Sequence, residues 1–418
     1  MYKRHKLNNG LKIITEHIPY VKSITIGVWI KTGSKNETPN NNGIAHFIEH
    51  MLFKGTSNRT AKEIAEEVDA VGGQINAFTS KEYTCYYMKV LDSHVDLAVD
   101  ILSDMLFNSN FDEQEIKKER SVIFEEISMY EDSPEDLVHD LLAKSLLKNN
   151  TLGYPILGTE ESLNKIDRST MLDYMNNNYA ANNSVISIAG NFEEAKLLNI
   201  IESKFINWHH NDNIKEVSSE ILYNFEHSFK QKDIEQTHFC IGFPGIPLKS
   251  DKLYPLYIVN NILGGSMSSR LFQKVREERG LTYSIYSYPS SYTDAGLLAI
   301  YAGMNPNSLD EVCSLIFQEL SEIKNKGISQ SDLSKIKEQL KGNYIIGLES
   351  TSSRMSSIGK SELLLGKINS PKEVIELIDK VTVSELKDTI DQVIDFSKIT
   401  SAMISRDDKT NDIKKYIP

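Results

Sequence analysis

Cysteine is scarce in this chain of 418 residues: only Cys85, Cys240 and Cys313 occur. An odd number of widely spaced thiols excludes a disulfide framework, and no Cys-x-x-Cys pair offers a thiolate metal site. Buried thiols in a reducing compartment are the expectation. Long apolar runs are also missing. The longest, such as Ile24 to Ile30, fall far short of the ~20 residues that cross a bilayer. The first residues, MYKRHKLNNGLKIITEH, are basic, but no apolar stretch follows them, and their alternation reads as a strand. An excess of positive charge is absent as well. The formal charge of −12 argues against general nucleic-acid binding, which needs a basic face. These absences predict a cytoplasmic protein with neither membrane nor nucleic acid as partner.

What is present is ordinary globular material, 40% hydrophobic and 25% charged, in a length that suits two or three domains. Its main organisational signal is an internal repeat. Phe111 to Lys118 and Ile328 to Lys335 both open helices, 217 residues apart. Ile166 to Asp173 and Val381 to Asp388 each precede a helix and then a strand, 215 residues apart. Near-equal offsets over such spans predict two related domains. Few apolar residues lie between 209 and 225, so that stretch is the expected linker, with domains 1–208 and 226–418. Strands are predicted at Leu11 to Glu16, Ser23 to Lys31 and Thr84 to Leu91. Helices are predicted at Ala61 to Val71, His94 to Leu106 and Glu113 to Tyr130, with Thr60 and either Asp92 or Ser93 as caps. The pattern predicts an α+β fold of two homologous domains, each a largely antiparallel sheet with helices packed on one face.

One short segment carries chemistry. Gly43 to Phe53 reads as a helix stopped by Gly55, with His46, Glu49 and His50 at positions i, i+3 and i+4 of one face. Two imidazoles one turn apart can share a zinc ion, and a glutamate between them can hold its water. His-x-x-Glu-His is the inverted order of the His-Glu-x-x-His motif. A catalytic zinc site needs a third protein ligand. The helix from Glu113 offers Glu115, Glu119, Glu125 and Glu126, and spacing alone does not choose among them.

The segment Gly43 to Thr56, GIAHFIEHMLFKGT, resembles the active-site helix of the pitrilysin-type metallopeptidases, in the branch of the mitochondrial processing peptidase and its bacterial relatives. Glu119 to Glu126, ERSVIFEE, resembles that family's second motif. The resemblance implies a third-ligand glutamate about 76 residues after the second histidine, which is Glu126, and an accessory role for Glu119. It implies one Zn²⁺ per chain held by His46, His50 and Glu126, with Glu49 as general base. It also implies that Gly72 to Thr79, on residue pattern a hairpin strand after a glycine turn, is an edge strand whose Asn76, Ala77 and Phe78 pair with substrate.

The second half has no ligand set where the first has its histidine helix. It does contain Arg276 and Tyr283, seven apart, which the resemblance makes donors to the substrate carbonyl; Arg279 is a nearby competitor. On pattern alone this is a charged helix and a strand tyrosine. The family encloses peptides in a chamber of four such domains, so a homodimer or a related second subunit is implied, with Arg276 and Tyr283 serving either their own or the partner's site. The expected activity is zinc-dependent endopeptidase cleavage of peptides or unfolded segments. The alternative is a non-cleaving zinc-binding or structural subunit.

Overall fold

The computed structural model describes residues 2–148, 150–214 and 221–416, which form two compact units. In the first unit six strands are ordered β1-β2-β6-β3-β5-β4. They are β1 (Tyr2–Lys6), β2 (Lys12–His17), β3 (Ser23–Ile30), β4 (Gln74–Thr79), β5 (Thr84–Leu91) and β6 (Ser184–Gly190). All neighbours are antiparallel except β2 and β6. In the second unit the order is β7-β11-β8-β10-β9. These are β7 (His227–Gln231), β8 (Thr237–Pro244), β9 (Thr282–Ser291), β10 (Gly296–Met304) and β11 (Thr400–Ser405). Here only β7 and β11 run parallel. Without β1, the first order becomes the second, strand for strand. The repeat is therefore topological, and β4 and β9 occupy equivalent edges.

Both faces of the first sheet are covered, and residue alternation assigns them. Ile24, Ile26, Val28 and Ile30 of β3 enter the core beneath α1 (Ile44–Leu52), α2 (Ala61–Ala70) and α3 (Val95–Asn108). The residues between them turn to the opposite face. There Thr25 bonds Thr351 at 2.9 Å, and Trp29 Nε1 donates to Ser187, whose hydroxyl donates to Met355 O. That face is covered by the helix Thr351–Leu365, which comes from the other half of the chain. It lies close: a Cβ on Gly359 would sit 2.3 Å from Trp29 Nε1. In return, α5 (Pro134–Leu146) packs Val138, Leu142 and Leu146 on Cys240, Ala299 and Ala402 of the second sheet.

The compact units thus depart from the contiguous halves 1–208 and 226–418. The first draws on residues 2–128, 154–214 and 346–370, and the second takes 129–153 from the first half. Hydrophobic spacing marks a helix as amphipathic but says nothing of which sheet it covers. Part of the expected linker, 215–220, lies outside the described residues. On one side of it the His209 carbonyl accepts from Ala181 N; on the other, Asn224 N donates to Leu146 O.

Element ends shift by a residue or two from their predicted places. Thr60 caps α2 through a capping box with Glu63. Neither Asp92 nor Ser93 caps α3: a turn of 3₁₀ helix, Asp92–His94, precedes it, and Asp92 accepts from Asn191 instead. All three cysteines are buried thiols. Among the described residues, no helix is long and apolar enough to cross a membrane.

Candidate metal centre

Helix α1 is a buried pedestal. Ile44, Ala45, Phe47, Ile48, Met51 and Leu52 are all inside, so the helix is fixed from several sides. His46, Glu49 and His50 are left to project together. The chain enters through Gly43 at φ +93°, where a side chain would strain the backbone, and leaves by Gly55 at φ +103°. A buried acid outside the motif, Glu37, accepts from Gly43 N at 2.8 Å, Ala45 N at 3.0 Å and Asn42 Nδ2 at 2.7 Å. Burial pushes its carboxyl up to about 7 in spite of these donors.

Helix α4 (Glu113–Glu131) supplies the facing carboxylates. Asp112 caps it by accepting from Gln114 N and Glu115 N. Its buried residues are Ile116, Glu119 and Ile123, and the next position of that stripe is Glu126. The geometry therefore turns Glu119 and Glu126 inward, while Glu125 is exposed.

Ligand-type atoms of His46, His50 and Glu126 all lie within 4.8 Å of one another. Glu126 Oε2 is 3.7 Å from Nε2 of each histidine. A tetrahedral ion with bonds of about 2.0–2.1 Å needs donors about 3.3 Å apart, a spacing that the two Glu126–histidine distances approach, and the donor types are those zinc takes. Desolvation, with His50 adding, lowers the His46 imidazole to about 3 and keeps it neutral, the form that ligates. The Glu126 side chain is 34% exposed and that of His50 22%, which leaves the centre open on one side. A catalytic rather than a closed structural site needs that opening.

Behind His50 runs a second row. Its Nδ1 is 3.2 Å from Glu119 Oε2, and Glu119 Oε1 is 2.5 Å from Lys54 Nζ. An Nδ1–H held by a carboxylate turns the lone pair of Nε2 toward Glu126 and raises the basicity of the ring. Burial raises the Glu49 carboxyl above the usual carboxylate range, a hydrogen bond from Thr79 Oγ1 opposes this, and nearby Glu126 adds to it.

Among the described residues β4 pairs only with β5, so its other edge is open. Ala77 and Ile75 pack toward the core under α1, and Thr79 reaches Glu49 on that side. Phe78 points the opposite way, edge-on to Trp29, Tyr83 and Tyr87. Asn76 is exposed, and its side chain accepts from Ala77 N at 2.8 Å.

In the second unit Arg276 lies on a π-helical stretch, Phe272–Glu277, a distortion often found at functional sites. Its guanidinium is 4.6 Å from the Phe272 ring centre and 5.4 Å from that of Tyr283. Tyr283 is 79% exposed, so its hydroxyl is available to a ligand. The competitor Arg279 is engaged elsewhere, 2.7 Å from Glu311.

Lys54, Thr79 and Glu37 escaped the sequence reading. Lys54 and Thr79 stand inside segments singled out for other residues, and Lys54, four after His50, carried a helical-spacing signal. Glu37 carried none.

Residues 12–160 match the family described as insulinase, peptidase family M16, and residues 165–340 match the peptidase M16 inactive domain. The chain is 48% identical over 386 residues to YmxG of Bacillus subtilis, described as an uncharacterized zinc protease; the match covers 92% of this chain and 94% of that protein. It is 38% identical to the similarly described SCO5738 of Streptomyces coelicolor, covering 92% and 85%. Among solved structures, a protease from Helicobacter pylori superposes with a TM-score of 0.91 at 22% identity, covering 97% of this chain and 99% of that one. A chain of complex III2 from Candida albicans gives 0.85 at 21%, covering 99% of each. The chain belongs to the pitrilysin-type peptidases of family M16, a family of zinc peptidases.

Proposed function

We propose that this protein is a zinc-dependent endopeptidase that cuts peptides or unfolded segments, with one Zn²⁺ per chain held by His46, His50 and Glu126. The observation that carries this reading is the convergence of those three side chains on one point, backed by Glu119 and open to solvent. When bound, the metal supplies Lewis acidity and lowers the pKa of a water. Glu49, beside the ligands and with its carboxyl raised by burial, takes the water proton and delivers it to the leaving amine. The open edge of β4 pairs with the substrate backbone at Asn76, Ala77 and Phe78, which supplies affinity without demanding one sequence. Arg276 and Tyr283 donate to the developing oxyanion, from the same chain or from a second subunit. A homodimer is the simplest assembly, a related second chain the next, and the working compartment is the cytoplasm.

The match of residues 165–340 to an inactive domain keeps a second reading in view, that of a non-cleaving zinc-binding or structural subunit. Metal removal separates the two. Protein stripped with a chelator should lose cleavage of a peptide pool and regain it with one equivalent of Zn²⁺. Cleavage that survives stripping contradicts the zinc mechanism, and a zinc-loaded protein that cuts nothing supports the subunit reading.

A further inference from the structure

The two histidines of α1 are held in different ways. His50 is clamped from outside its helix by Glu119, itself paired with Lys54. His46 has no such clamp: its Nδ1 is buried, and no protein group among the described residues lies within hydrogen-bond reach of it. With no hydrogen bond on Nδ1, the place of His46 Nε2 depends on the packing of its buried ring, 4.6 Å from that of His50 between centroids, and on the backbone of the first helical turn.

That turn is the weak end of a helix only nine residues long. The first amides of a helix have no intrahelical partner, and Gly43 at the N-cap has no side chain to provide one. Glu37 provides it from outside the helix. Its two oxygens accept from the amides of Gly43 and of Ala45, the residue immediately before His46. When ionised, Glu37 also sets a negative charge at the positive end of the helix. Asn42 Nδ2 donates to the same carboxylate and also to Pro155 O at 2.9 Å.

Glu37 is itself fixed. It is 3% exposed and follows the 3₁₀ turn Ser34–Asn36. The Lys35 amide of that turn donates to Lys81 O at 2.7 Å, and a Cβ on Gly33 would lie 2.1 Å from Ser80 O. Ser80 and Lys81 directly follow Thr79, the partner of Glu49. The segment Gly33 to Glu37 thus joins the turn that ends β4, through its backbone, to the start of α1, through the Glu37 carboxyl.

We propose that Glu37 is a positioning residue of the metal centre, fixing the first turn of α1 and with it the donor atom of His46, an inference that rests on the zinc reading above. The test measures zinc affinity of the full chain by competition with a chromophoric chelator. Wild type is compared with Glu37→Gln, which keeps the size of the side chain and removes one acceptor. The control is Glu362→Gln, another buried carboxylate of the same unit, on the opposite face of its sheet beside Arg4 and Lys12. Glu37→Gln should bind zinc about tenfold more weakly, no more than the low end of what loss of a partner bonded directly to a ligand causes, since Glu37 acts through the helix backbone. Glu362→Gln should lower the urea midpoint and leave zinc affinity within about twofold of wild type, since it touches nothing that places a ligand. Should Glu37→Gln not fold, Glu37→Asp, shorter by one methylene, replaces it under the same criteria. Near-wild-type affinity in the Glu37 variant overturns the inference, as does equal loss in both variants, which would mark a general stability effect. A wild-type chain that binds no zinc overturns the zinc reading instead.

Discussion

His50 shows how much of this centre is decided by single side chains. The ring has two nitrogens, and Glu119 at 3.2 Å from Nδ1 settles which one faces Glu126. Glu119→Gln should therefore weaken zinc binding about 10- to 100-fold, measured by chelator competition, with the fold retained by circular dichroism. Lys54→Met should act in the same direction through Glu119, and less strongly because Lys54 is one contact further out. An unchanged affinity in Glu119→Gln would reduce that residue to a buried spectator. At this scale the sequence was legible where the chemistry is local. His46, Glu49 and His50 share one face by helical arithmetic alone. Glu126 was not legible in that way, because α4 buries only Ile116, Glu119 and Ile123, and a stripe that is part acid is hard to tell from a solvated face. Glu37 was hidden for another reason. It caps a helix seven residues downstream, from a position where an acid reads as ordinary loop.

Elements carry the next set of consequences. The helix Thr351–Leu365 touches Trp29 so closely that Gly359 has no room for a side chain. Gly359→Ala should cost about 1–3 kcal/mol by overpacking, read as a lower urea midpoint. No loss would mean that the helix does not rest on Trp29. A second element offers a test by pH. Asp167 caps the helix Arg168–Asn178, and its hydrogen bonds with Thr170, side chain first, and Ser169 hold its carboxyl at about 2, below the ordinary 3.8. A depressed carboxyl adds stability above its unfolded value and loses it as the pH falls through the folded one. The gap in urea midpoint between wild type and Asp167→Ala should be full at neutral pH and close between about pH 4 and pH 2. A gap that persists below pH 2 contradicts this. Strand β5 was predicted with its observed bounds, Thr84–Leu91, because alternation and flanking turns agree there. The start of α3 was misread because Asp92 and Ser93 look like caps in sequence, while Asp92 is drawn to Asn191.

The whole molecule is a repeat whose halves have exchanged a helix. The repeat was legible in the near-equal offsets of its segments, and the shared strand order explains them. The exchange was not, since α5 and Thr351–Leu365 carry the same amphipathic spacing wherever they pack. The proposed assembly adds a prediction at this scale. If Arg276 and Tyr283 serve the zinc site of a partner, mixing inactive Glu49→Gln chains with inactive Arg276→Ala chains should restore part of the activity, because each hybrid dimer then holds one complete site. A mixture that stays inactive although hybrids form would place the pair in the same chain as the site it serves. The most direct test of the catalytic reading compares zinc-loaded wild type with zinc-loaded Glu49→Gln on one mixed peptide pool by mass spectrometry. At one zinc per chain in both, wild type should cut internal peptide bonds and Glu49→Gln should leave the pool intact. Equal cleavage by the two would contradict the role of Glu49, and an intact pool with wild type would contradict a peptidase.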